Sequence, residues 1–186
     1  MSTSTKITSD DYERMIAEGH FDPSDPRRYE LIEGEIVTMS PIGHEHSEAV
    51  EALNEWSFEN RPKGQVKVRV QDAVGIPALN SVPQPDLFWV RRKSYRKARP
   101  QASDLLWLVE VSDSTLSYDR GRKAKIYAKA GVADYWIVNI PDQCVEVRRD
   151  HKGDFYQSIQ TFRAGDLIPL LAFPEIQFAV DTVFPA

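Results

Sequence analysis

The chain has 186 residues, 41% hydrophobic and 27% charged, and a net charge of −5. That length suits a single domain with a sizeable core, and no apolar run is long enough to form a membrane-spanning helix. The acidic balance carries no global signature of nucleic-acid binding, and a single cysteine, Cys144, excludes an internal disulfide or a CxxC zinc site. The N-terminus lacks the apolar core of a secretory signal, so a reducing, cytoplasmic setting is the expectation.

In chain order, the pattern predicts a first helix over 9–18, with Ser9 as N-cap and Gly19 as stop. The prolines and aspartates of 22–26 predict a turn. Residues 29–39 read as two short strands joined at Glu33-Gly34. A helix is expected over 45–59, because Ala49, Val50, Leu53 and Trp56 recur at helical spacing. His46 lies one turn before Ala49 and Val50 and so falls on the buried edge.

Residues 66–70 and 73–76 predict strands, followed by a turn-rich stretch to Pro85. Residues 86–90 and 105–111 are near-continuous apolar runs, the signature of central strands covered on both faces. Asp119 is expected to cap a helix over 120–130, stopped by Gly131. A buried strand over 134–139, a hairpin turning at Lys152-Gly153 and short strands near Leu167 and over 176–180 complete the chain. The order of helix, strands, helix and strand predicts an α/β fold.

Charge is distributed unevenly. Residues 1–60 hold 14 acids and four bases, whereas 61–186 hold 14 acids and 19 bases. Arg91, Arg92, Lys93, Arg96, Lys97 and Arg99 place six cations in nine residues, and Arg120, Arg122, Lys123, Lys125 and Lys129 form a second cluster. Such clusters are either solvated surface or a phosphate-tracking face.

Two acids interrupt apolar strands: Asp86 opens one and Glu110 closes another. A buried carboxylate needs a cation, donors or solvent. Two that converge would repel unless a hard cation joined them, and Mg²⁺ is held by only one or two carboxylates. The alternative is that each acid simply closes a strand end beside a loop. On the following helix, Lys123, Ile126, Tyr127 and Ala130 share a face, which draws Lys123 toward Glu110, while Lys125 points elsewhere. Ser112 projects to the same side as Glu110, where it donates to a phosphate or begins a turn. His44 and His46 diverge at a helix start, and no cysteine or second histidine pair supports a zinc site.

Taken in order, several segments resemble a known bacterial family, the Uma-type restriction endonucleases. They are Tyr29-Glu30-Leu31-Ile32-Glu33-Gly34-Glu35, Ser40-Pro41 with His46, Gln84-Pro85-Asp86, and Val109-Glu110-Val111-Ser112-Asp113-Ser114. Tyr118-Asp119-Arg120-Gly121-Arg122-Lys123, Tyr127-Ala128 and 131–138 follow. The resemblance spans about 29–184, leaving 1–28 as an N-terminal helix-and-turn extension to a restriction-endonuclease-like domain over 29–186.

This resemblance implies a PD-(D/E)XK-type core: a central mixed β-sheet flanked by helices, with extra hairpins. It implies Mg²⁺- or Mn²⁺-dependent hydrolysis of DNA phosphodiester bonds, with Asp86 and Glu110 as metal-holding acids. The signature lysine two residues after the second acid is replaced by Ser112, and Lys123 on the next helix takes its place. Supporting roles fall to Glu30, Glu33, His46 and Ser112. Arg91, Arg92, Lys93, Arg96, Lys97, Arg120 and Arg122 are the cations expected to meet DNA. A non-catalytic nucleic-acid-binding module, or a homodimeric interaction protein that keeps the fold, is the rival reading.

Overall fold

The computed structural model describes residues 6–22, 28–39 and 41–185. Most of the turn expected over 22–26, and Ser40, lie outside them. Helix α1 (Ser9–Ala17) is capped by Thr8 rather than Ser9: Asp11 N donates to Thr8 Oγ1 and Thr8 N to Asp11 Oδ2, a reciprocal capping box. Strands β1 (Tyr29–Ile32) and β2 (Glu35–Thr38) form a separate hairpin through Glu33-Gly34. Helix α2 spans His44–Asn60.

The main sheet has six strands: β3 (Val66–Val70), β4 (Leu87–Arg91), β5 (Leu105–Ser112), β6 (Tyr135–Asn139), β7 (Cys144–Lys152) and β8 (Phe155–Phe162). They lie in sequence order, and β5–β6 is the one parallel pair. A parallel pair requires a crossover, supplied by a continuous helical run. This run comprises α3 (Leu116–Tyr118), a π-helical segment (Asp119–Lys123) and α4 (Ala124–Ala130), and it ends at Gly131 with φ 83°. Strands β9 (Leu167–Pro169) and β10 (Gln177–Ala179) make a last hairpin.

Alternation along the central strands builds two cores. Leu87, Trp89, Trp107, Val109, Val111, Trp136 and Val138 face α2 and the β9–β10 hairpin. Phe88, Val90, Leu108, Tyr135 and Ile137 face α4 with Ile126 and Tyr127. Both sheet faces are therefore covered, as the unbroken apolar runs require.

Two expected elements differ. Residues 73–76 form only isolated bridges, because the N–H groups of Val74, Gly75 and Ile76 are taken by the loop carbonyls of Pro83, Pro100 and Ser81. The helix after β5 begins at Leu116, three residues before Asp119, so Asp119 lies inside the helical run and is not its cap.

Candidate active site

Register explains why two acids 24 positions apart in sequence meet. Leu87 of β4 pairs with Val109 of β5, so Asp86, one residue before β4, lies beside the C-terminal end of β5. Val111 N donates to Asp86 Oδ2 at 2.9 Å. His46, projecting from the first turn of α2, places Nε2 3.2 Å from the same oxygen. The other oxygen, Oδ1, has only the amide of Gln71, at 3.4 Å. Asp86 is buried, which works to raise its pKa. The His46 contact, the Val111 N–H and the charge of Lys123 outweigh burial and hold the carboxyl below its ordinary value.

Glu110 lies on the α4 face of β5, with Leu108 and Ser112 on the same side. Its Oε1 accepts hydrogen bonds from Lys123 Nζ at 3.0 Å and Tyr127 OH at 2.6 Å. Lys123 Nζ also lies 3.2 Å from Glu30 Oε1, which accepts from Gln84 N at 2.6 Å. Burial, followed by the neighbouring charges of Asp119, Asp86 and Glu30, pushes Glu110 well above the usual carboxylate range despite Lys123. Burial works to lower Lys123, but Glu110, Glu30, Asp119 and Asp86 outweigh it and hold the ammonium charged.

The π-helical segment brings a further acid to this point. Asp119 is buried and its Oδ2 accepts from Ser112 Oγ and Thr115 Oγ1, each at 2.7 Å. Burial is the main force raising its pKa. Its backbone carbonyl accepts from Tyr135 OH at 3.0 Å, tying the widened turn to β6. Single-turn π-helical segments concentrate at functional sites because they re-aim side chains within a helix.

Asp86, Glu110, Lys123, Glu30, His46 and Asp119 all line one cavity of about 290 Å³. Four of these six are acids, facing one lysine. Ser112 stands behind the cavity and orients Asp119. Glu33 lies outside it, at the β1–β2 turn, where it pairs with Arg122 at 3.2 Å. Arg122 also binds Glu35 at 2.6 Å, and Arg120 binds Glu146 at 2.5 Å. These two arginines are thus engaged by the protein itself. Arg91, Arg92, Lys93, Arg96 and Lys97 are exposed in the segment beginning at the end of β4.

Sequence reasoning missed Gln71 and gave Asp119 only a capping role. Gln71 follows directly on β3 with a left-handed backbone, φ 49°, outside the strand's alternation, and no residue pattern marks it. Asp119 is four residues before Lys123, the same spacing that separates Lys123 from Tyr127.

The combination is a mixed sheet crossed by one helical run, with acids at adjacent strand ends and a lysine from the crossover facing them. The chain belongs to the family Uma2, described as "putative restriction endonuclease", whose model matches residues 9–181. Among solved structures it resembles a putative nuclease belonging to DUF820 from Anabaena variabilis ATCC 29413. The two share a TM-score of 0.69 and 18% identity, over 96% of this chain and 97% of that one. No curated protein matches. No helix among the described residues is long and apolar enough to cross a membrane.

Proposed function

We propose that the protein is a metal-dependent endonuclease that hydrolyses DNA phosphodiester bonds, with Asp86 and Glu110 holding Mg²⁺ or Mn²⁺. One observation carries this reading: each carboxylate is anchored through one oxygen, while the other is left nearly or wholly without protein donors. Asp86 Oδ2 is held by His46 and Val111, leaving Oδ1 with the long Gln71 contact. Glu110 Oε1 is held by Lys123 and Tyr127, and Oε2 accepts no hydrogen bond from the described residues. Anchored carboxylates with open oxygens suit a hard cation.

Among the described residues, no group of three or more His, Cys, Asp or Glu side chains converges as a metal site. The protein would therefore supply two carboxylates, the ligand number suited to Mg²⁺, which keeps several waters. When bound, such an ion lowers the pKa of a coordinated water and polarises a phosphoryl oxygen. Five acids, Glu30, Asp86, Glu110, Asp113 and Asp119, line the cavity against Lys123 and Arg28, an imbalance that a divalent cation would relieve.

Lys123 is held protonated, so its role is electrostatic: it donates toward charge developing on the phosphoryl oxygens. Glu30 and Tyr127 aim it and Glu110. His46 orients Asp86. Ser112 acts through Asp119 and does not reach the substrate.

The test is a cleavage assay on single-stranded DNA, duplex DNA and RNA with Mg²⁺, Mn²⁺ or chelator, alongside Asp86→Ala and Lys123→Ala. Cleavage of DNA that requires the metal and is lost in both variants is expected. Cleavage unchanged by both substitutions overturns the site. Nucleic-acid binding without cleavage, persisting in chelator and in Asp86→Ala, favours a module that kept only the fold.

A further inference from the structure

A second concavity, of about 810 Å³, lies at the edge of the sheet where β3 meets the segment after β4. It is lined by Lys67, Arg69, Arg92, Lys93 and Arg96 around the ring of Tyr95. Lys93, Lys67 and Arg69 stand 5.3, 5.7 and 5.7 Å from the centroid of that ring. Tyr95 is itself fixed, donating from its hydroxyl to Arg91 O at 2.8 Å.

The cations here are only partly balanced. Arg69 pairs with Asp72 at 3.0 Å and Lys93 with Asp104 at 2.6 Å. Lys67 and Arg92 are held by backbone carbonyls, of Lys93 at 2.5 Å and Lys63 at 3.0 Å. Those contacts fix their positions without neutralising them. Arg96 is exposed and makes no ion pair with a described residue. Holding like charges together costs energy unless an anion joins them, and a preset row of cations is what a phosphate-bearing chain requires.

The groove is also aligned with the cavity. Lys67 and Arg69 pair with Val90 and Phe88, and Gln71 N donates to Asp86 O, so the end of β3 lies directly beside Asp86. Lys67 and Arg69 therefore share the sheet face on which Phe88, Val90 and Glu110 sit. Successive members of such a row are about 6.7 Å apart. Gln71 adopts the left-handed conformation, with φ 49°, and its amide reaches Asp86 Oδ1.

We infer that the groove formed by Lys67, Arg69, Arg92, Lys93 and Arg96 around Tyr95 binds the phosphodiester backbone of a nucleic-acid strand and leads it along β3 to Asp86. The last part, the path to Asp86, rests on the nuclease reading; the binding site does not. The fixed aromatic ring adds an edge against which a base can pack when the strand is single. Arg120 and Arg122, engaged by Glu146, Glu33 and Glu35, take no part.

The experiment is fluorescence anisotropy in chelator, so that no cleavage occurs, with labelled single-stranded DNA, duplex DNA and RNA over a series of salt concentrations. Arg96→Glu and Lys67→Gln are compared with Lys152→Glu, an exposed cation on the β7–β8 hairpin at the other end of the sheet. Thermal melts confirm that each variant is folded. For whichever polymer binds best, Arg96→Glu is expected to weaken binding at least about tenfold at low salt. Each lost cation should reduce the salt slope by roughly one. Lys152→Glu should bind within about twofold of the parent.

Equal losses in all three variants would mean a general charge effect and overturn the groove, as would no loss in Arg96→Glu and Lys67→Gln, or no binding of any polymer. A parent that binds through the groove but never cleaves removes the nuclease reading and leaves the groove standing. A parent that cleaves, with Arg96→Glu and Lys67→Gln binding normally, does the reverse.

Discussion

Lys123 Nζ lies 3.0 Å from Glu110 Oε1 and 3.2 Å from Glu30 Oε1, so one buried ammonium joins the central sheet to the N-terminal hairpin. All three side chains are at most 5% exposed, which makes the contact costly to break from either side. Removing one partner of a buried ion pair typically destabilises by about 3–5 kcal/mol, because the remaining charge is left without a counter-ion. Lys123→Ala is therefore expected to lose about that much in urea denaturation, together with nuclease activity. Lys123→Met with Glu110→Gln should recover only part of the stability, since Glu110 then carries no charge while Glu30 still lacks its partner, and none of the activity. Near-native stability in Lys123→Ala would contradict this account.

His46 touches Asp86 and no other described acid, and its Nδ1 is buried without a hydrogen-bond partner. Its side chain is 14% exposed and makes a single polar contact, so its contribution to stability is small. On the proposed metal reading its contribution there is larger, because residues that orient a ligand commonly account for about 10–100-fold in metal affinity or activity. His46→Ala should weaken Mn²⁺ binding by that factor in calorimetry, with a cost of about 1 kcal/mol in unfolding. His46→Asn, whose amide can still donate, should fall between the two. Unchanged Mn²⁺ affinity in His46→Ala would separate this histidine from the metal site.

The convergence of Asp86, Glu110 and Lys123 on one cavity was legible because each breaks a local rule: an acid at either end of an apolar strand, and a lysine on the buried stripe of a helix. What pairs them is long-range register, Leu87 with Val109, and local pattern alone does not specify that. Asp119 was misread for a related reason. Aspartate before a basic helical run is a good cap signal, but the helix starts earlier and widens to a π turn, which no residue type announces. The strand expected over 73–76 failed because its apolar residues pack inward while its backbone donors are met by loop carbonyls. Charge runs were the least legible feature. Arg120 and Arg122 look like Arg92 and Arg96 in sequence, yet acids distant along the chain engage the first two and leave the others facing outward.

Asp134 illustrates a buried charge with a structural task. It is 1% exposed and accepts from Trp136 Nε1 at 2.6 Å, Arg149 Nε at 2.7 Å and Leu171 N at 2.9 Å. It thereby binds the start of β6 to β7 and to the segment after β9. Asp134→Ala would leave Arg149 without its acid, bonded only to Pro169 O, and two other donors unmatched, for an expected loss of about 3–5 kcal/mol in unfolding free energy. Asp134→Asn keeps the acceptor oxygen and should lose less. Because Asp134 does not line the active cavity, the cleavage rate of folded Asp134→Asn should stay near that of the parent. A matching loss of activity and stability would show that the two ends of β6 are coupled.

Glu146 gives the fold an acid-sensitive contact away from the cavity. It is 4% exposed and accepts from Arg120 Nη2 at 2.5 Å, Arg148 Nη2 at 2.8 Å and Asn139 Nδ2 at 3.2 Å. Burial works to raise its pKa, but the hydrogen bonds from Arg120, Arg148 and Asn139 outweigh it and place the carboxyl below its ordinary 4.5. With the folded value below the unfolded one, the unfolded chain takes up this proton first as the pH falls. The stabilisation is therefore complete above about 4.5 and is lost as the pH drops through the lower, folded value. Glu146→Gln, which cannot ionise and leaves Arg148 without its charge partner, should be less stable than the parent at neutral pH. The gap should narrow steadily below the ordinary value, because the parent then loses what the variant already lacks. Urea denaturation across that range measures it directly, and a gap that stays constant into acid would mean that ionised Glu146 contributes nothing beyond its shape.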